Sequence, residues 1–109
     1  MAAIRLDEGV AWVKAGWVFR YVVESVYQQS LGTPLEHLIF PAPITGYLDL
    51  TGFSTTDLKM VRGMISKRIA DLREAGPTSL GAPVAFDGLL AALEELEGML
   101  NDKLHRMEK

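Results

Sequence analysis

Glycine and proline divide the sequence into segments, and this division constrains the fold more than any other feature. The interruptions fall at Gly32-Thr33-Pro34, at Pro41-Ala42-Pro43, at Gly52 and within residues 76–83. Proline lacks an amide proton and glycine adopts turn conformations easily, so such clusters end helices and strands. No linker is long enough to separate two domains, and 109 residues are enough for one apolar core. We therefore expect one helical domain over residues 1–109.

The third segment carries the signals of a helix at both ends. Ser54 suits the N-cap, and Phe53 is placed to contact Leu58 across the first turn. Apolar residues then recur at steps of three and four: Leu58, Val61, Ile65, Ile69 and Leu72. Gly76-Pro77 ends the pattern. These signals predict a helix over residues 55–75.

The fourth segment has the same spacing of apolar residues. They are Phe86, Leu89, Leu93, Leu96 and Leu100. Lys103, His105 and Arg106 follow near the end, where basic side chains complement the negative pole of a helix. We predict a helix over residues 84–107, antiparallel to the previous one because the connection between them is short.

The first segment is predicted to be a helix over about residues 7–30. Its valine content would also suit a strand, so propensity does not decide. At 100° per residue, one side of the segment is apolar, and this periodicity favours the helix. The apolar residues on this side are Trp12, Ala15, Val18, Phe19, Val22, Val23 and Val26.

The second segment completes the predicted fold. Thr33-Pro34-Leu35-Glu36 is typical of a helix start and predicts a short helix near residues 34–40. Residues 41–53 are expected to be extended or irregular. If 44–50 form a strand, it is the only convincing one in the sequence, and its partner could be another subunit. The predicted fold class is therefore mostly α, a small bundle of three main helices.

No motif for catalysis, a cofactor or a metal is recognisable. The chain has no cysteine, and it lacks the glycine-rich loops that bind phosphate groups. His37 and His105 are isolated histidines, and Ser54 is better explained as a helix cap than as a nucleophile. We predict no catalytic, cofactor-binding or metal-binding residue.

Charge and targeting signals narrow the class of partner. A net charge of −3 lacks the basic footprint of a nucleic-acid-binding protein. The most apolar stretch, residues 10–27, contains Lys14, Arg20 and Glu24, which argue against a membrane span. The N-terminus does not resemble a secretory signal. We expect a cytoplasmic protein that binds neither nucleic acid nor membrane.

A second apolar line on the first predicted helix indicates association. Leu6, Val10, Val13 and Trp17 follow one another at helical steps outside the main apolar side. A small bundle seldom covers such a helix from within, and twofold homodimers are the commonest soluble assemblies. Met60 and Met64 form a further candidate interaction surface, although methionine also fills gaps in cores.

The predicted function is a non-enzymatic protein–protein interaction module, a homo-oligomeric adaptor, accessory subunit or regulator. A heterocomplex with another protein would bury the same apolar line. The alternative is a small-ligand-binding or enzymatic domain with a pocket between the first helix and residues 33–53. The residues considered for its lining are Trp12, Phe19, Tyr21, Tyr47 and Asp49.

Overall fold

The computed structural model describes residues 2–76 and 83–108. The chain is mostly helical, as predicted, but it also contains a small three-stranded sheet. In chain order the elements are β1 (Ala2–Asp7), β2 (Val10–Lys14), α1 (Gly16–Ser30), α2 (Glu36–Ile39), α3 (Ala42–Thr45), β3 (Tyr47–Asp49), α4 (Thr55–Ala75) and α5 (Pro83–Met107).

The N-terminal part of the predicted first helix is wrong, because β1 and β2 form an antiparallel hairpin there. The turn between them contains Gly9, whose φ of 78° suits glycine far better than other residues. Burial along β1 alternates strictly, with Ile4 and Leu6 buried and Arg5 and Asp7 partly exposed. This period of two is that of a strand, and the helix α1 begins only at Gly16.

β1 is the central strand of the sheet, between β2 and β3. β3 runs parallel to β1, with Ala3 opposite Tyr47 and Arg5 opposite Asp49. Beyond β3, the amide of Leu50 donates to the Arg5 carbonyl at 2.8 Å. The strand expected within residues 44–50 therefore finds its partner in the same chain. Residues 42–45, expected to be extended or irregular, form the short helix α3.

The inner face of the sheet is built around one row of paired residues. Ile4 of β1 lies opposite Trp12 of β2 and opposite Leu48 of β3, and all three side chains are buried. The Trp12 indole Nε1 also donates to the backbone carbonyl of Ala92 in α5 at 3.0 Å. The row thus joins the sheet to the helical layer.

The helices α4 and α5 confirm the predicted antiparallel pair. Ser54 caps α4, since its hydroxyl accepts from the amide of Asp57 at 3.1 Å. The polar contacts between them show the antiparallel order, because the α5 partner moves toward the C-terminus as the α4 residue moves toward the N-terminus. Arg73 pairs with Glu94, Arg62 donates to Asn101, and Lys59 pairs with Glu108. Their apolar faces form a continuous part of the core.

Two further elements agree with the sequence. In α1, the predicted apolar side is buried from its first turn onwards; the residues are Val18, Phe19, Val22, Val23 and Val26. The short helix near residues 34–40 is present as α2. Its start is stabilised by Glu36, whose Oε1 accepts from the Gly32 amide at 2.9 Å.

We expect Trp12→Ala to lower the free energy of unfolding by about 3–5 kcal/mol, because it leaves a large cavity between the sheet and α5. Trp12→Phe should cost less, about 1–2 kcal/mol, because it removes the indole N–H and some volume but keeps an aromatic ring. Urea unfolding followed by circular dichroism measures both.

Trp17→Phe is the matched control for Trp12→Phe. Trp17 is 53% exposed, so this substitution should change the free energy of unfolding by less than about 0.5 kcal/mol. Equal losses for the two Trp→Phe variants would contradict the anchoring role of Trp12.

Candidate functional site

The outer face of the sheet carries an apolar row beside the buried one. Ala3 of β1 lies opposite Val13 of β2 and opposite Tyr47 of β3. Paired side chains on one face of a sheet are neighbours, with Cβ atoms about 4.5–5.5 Å apart in antiparallel pairs. These three residues therefore form one apolar strip across all three strands.

Trp17 is a further exposed apolar residue close to this strip in the sequence. It lies four residues after Val13, in the first turn of α1. Val13 and Tyr47 are each 44% exposed, and Trp17 is 53% exposed. We use the name sheet surface for the set Ala3, Val13, Trp17 and Tyr47.

The strand β2, which carries Val13 of the sheet surface, is an edge strand of the sheet. Within the described residues, its backbone pairs with β1 alone. Val10 at its start is 38% exposed. An edge strand with exposed backbone donors and acceptors is a template for pairing with another chain.

The predicted interaction residues are distributed between this edge and the core. Val10, Val13 and Trp17 are exposed, whereas Leu6 is completely buried under the sheet. Met64 is buried between helices and Met60 is partly buried against the same core. The exposed members of the predicted set thus gather around β2. Sequence reasoning missed Ala3 as a member, although the alternation of residues 2–7 indicates a strand.

A polar row lies next to the sheet surface. Arg5 is opposite Ala11 on one side and opposite Asp49 on the other. Asp49 Oδ1 accepts from the hydroxyl and the amide of Thr51 at 2.7 and 2.9 Å. These hydrogen bonds, assisted by the positive charge of Arg5, hold the pKa of Asp49 below its ordinary value. The apolar strip therefore has a charged border.

Asp7 attaches the end of β1 to α5 through two basic residues. Its carboxylate oxygens lie 2.5 Å from Lys103 Nζ and 2.7 Å from Arg106 Nη2. Lys103 is buried, with 4% of its surface exposed. The hydrogen bonds from Lys103 and Arg106 hold the pKa of Asp7 below its ordinary value. This cluster positions the hairpin and hence β2.

A groove lies between α1, α4 and the segment that contains α2 and α3. Its volume is about 600 Å³. The lining residues are Tyr21, Glu24, Ser25, Tyr27, Gln28, Gln29, Phe40, Pro43, Ile44, Lys67, Arg68 and Asp71. The location agrees with the alternative pocket expected between the first helix and residues 33–53.

Only Tyr21 of the residues considered for that pocket lines the groove. Trp12 and Phe19 belong to the buried core, while Tyr47 and Asp49 lie exposed on β3. Sequence reasoning missed Arg68, because its position beside Tyr21 depends on how α4 packs against α1.

The described residues were considered for a metal site and for a membrane-spanning helix. Across residues 2–76 and 83–108, no three histidine, aspartate or glutamate side chains gather as a metal site would require. No helix in the same ranges combines the length and the apolar character needed to cross a membrane.

Comparison of the chain with protein-family models, curated proteins and solved structures finds no significant match.

We expect Asp7→Asn to lower the free energy of unfolding by about 1–3 kcal/mol at neutral pH, because it leaves the buried Lys103 ammonium without a carboxylate. This is less than a fully buried pair would lose, because the Asp7 side chain is 36% exposed. Lys103→Met should be close to neutral, and combining both substitutions should recover part of the loss.

The same cluster should make stability depend on pH. The folded-state pKa of Asp7 is lowered, so its contribution is complete above the ordinary carboxyl pKa of 3.8 and is lost as the pH falls through the folded-state value. Urea unfolding between neutral and acidic pH should show a smaller acid loss for Asp7→Asn than for the unsubstituted chain. An equal loss for the two chains would contradict this assignment.

Proposed function

We propose that the chain is a protein–protein interaction module that assembles with itself and serves as an adaptor, accessory subunit or regulator rather than as an enzyme. The observation that carries this proposal is the sheet surface, an apolar strip across all three strands together with the exposed Trp17 four residues after Val13. Contiguous exposed apolar surface is typical of partner sites on small proteins.

The β2 edge favours a second copy of the chain as the partner. In a twofold dimer the same surface of both subunits is buried. Two β2 strands related by a twofold axis perpendicular to them run antiparallel, so they can pair through their unpaired sides. This arrangement joins the two sheets and brings Val13 of one copy close to the sheet surface of the other.

Trp17 is suited to contribute much of the binding energy. A tryptophan buries about 150–250 Å² when it is fully covered, and 53% of this residue is exposed in the single chain. Large aromatic side chains dominate many interfaces because their apolar surface is desolvated as one rigid unit. The polar row with Arg5 and Asp49 would then lie at the rim, where charged residues remain hydrated.

The first experiment is light scattering coupled to size-exclusion chromatography over about a hundredfold range of concentration. We expect a dimer that dissociates only on strong dilution. Trp17→Glu and Val13→Glu should each yield a folded monomer, because each places a charge within the apolar contact.

Met107→Glu is the matched control. Met107 is 42% exposed near the end of α5, outside the sheet surface, so this variant should stay dimeric. A monomer of the unsubstituted chain at every concentration would reject self-association. A dimer that survives both Trp17→Glu and Val13→Glu would reject the sheet surface as its interface.

A further inference from the structure

The groove between α1, α4 and the α2–α3 segment has one apolar wall and one polar floor. Tyr27, Phe40, Pro43 and Ile44 form the wall, with the rings of Tyr27 and Phe40 6.0 Å apart. Phe40 is 51% exposed and Ile44 is 74% exposed, although both are large apolar residues. The volume of about 600 Å³ is within the range of small-molecule sites.

The floor of the groove carries a single positive charge. Among the half-buried lining residues, Arg68 is the charged one, beside the neutral Tyr21, Ser25 and Gln29. In the described part of the chain, Arg68 has no carboxylate partner within ion-pair distance. A half-buried guanidinium of this kind favours an anionic ligand.

The two hydroxyl groups of the floor accept hydrogen bonds from neighbouring side chains. Tyr21 Oη accepts from Arg68 Nε at 2.9 Å and from Nη2 at 2.5 Å. Ser25 Oγ accepts from Gln29 Nε2 at 3.3 Å. Neither hydroxyl donates to an acceptor within residues 2–76 and 83–108. Each keeps its proton for a ligand, since a hydroxyl both donates and accepts.

The rim of the groove limits the charge of the ligand. Glu24, Lys67 and Asp71 lie there with exposed side chains. Two carboxylates and one ammonium give the opening a net negative charge. This charge repels a multiply charged anion such as a phosphate ester more than a monoanion, which Arg68 attracts.

We propose that this groove binds an apolar monocarboxylate. The carboxylate accepts from the Tyr21 and Ser25 hydroxyls beside the Arg68 guanidinium, and the hydrocarbon part covers Tyr27, Phe40 and Ile44. The two sites share no residue, so the groove does not depend on association through the sheet surface.

Decanoate is the probe, and 1-decanol is its uncharged match. We expect decanoate to perturb the amide NMR signals of residues 21–29 and 67–71, and those of Phe40 and Ile44, with a dissociation constant below about 1 mM. The alcohol has the same hydrocarbon chain without the charge, so its dissociation constant should be higher by about tenfold or more.

Arg68→Met tests the polar floor, because it keeps a long side chain and removes the charge. It should weaken decanoate binding about tenfold or more and leave 1-decanol binding nearly unchanged. Tyr21→Phe, which removes one donor, should weaken decanoate binding by a smaller factor. Arg62→Met on the same helix is the control, since Arg62 donates to Asn101 and does not line the groove.

The outcomes separate this site from the sheet surface. Equal affinity for decanoate and 1-decanol, or equal loss in Arg68→Met and Arg62→Met, would overturn the carboxylate site. So would perturbations confined to Val13 and Trp17, or the absence of binding up to about 10 mM decanoate. Dispersed amide signals in each variant establish that it is folded.

Discussion

The contact between Trp12 and α5 is the constraint on which the rest of the structure depends. Its indole fills the space between the sheet and the helices and donates to the Ala92 carbonyl. Side chains alternate between the two faces of a strand, so an inward Trp12 requires an outward Val13. The strand register then places Ala3 and Tyr47 in the same outer row. The exposed apolar strip is thus a direct consequence of how the core is anchored.

The elements that the sequence predicts well are those whose signals are local. The helix α4 has its cap at Ser54, its apolar stripe and its terminal Gly76 within one stretch, and its bounds agree with the prediction. The hairpin was missed because Trp12 and Ala15 continue, at helical steps, the apolar side that residues 18–26 form in α1. The alternation along β1 and the turn at Gly9 are the competing signals. The parallel pairing of β1 with β3 joins distant parts of the chain, and no local pattern encodes it.

The candidate sites were predictable to different degrees. Val13 and Trp17 of the predicted interaction set are exposed, whereas Leu6 and Met64 are buried. The helical face from which Leu6, Val13 and Trp17 were grouped does not exist, because Leu6 and Val13 lie on strands. The location of the groove beside α1 was expected, but its most important charge was not. Arg68 and Tyr21 are on different helices, so their hydrogen bonds arise from the packing of α4 on α1. Periodicity identifies which face of a helix is buried, but it does not identify which polar groups from two helices meet.

The one-sided arrangement of the sheet explains why its outer face is a better candidate interface than the rest of the surface. An antiparallel sheet can leave one face in water when that face is polar. Here the row of Arg5 and Asp49 satisfies this condition, whereas the adjacent row of Ala3, Val13 and Tyr47 does not. The helices cover the inner row, whereas Val13 and Tyr47 in the outer row are each 44% exposed. A second copy paired along β2 would bring the Val13 side chains of the two copies near each other and extend the apolar row across both sheets.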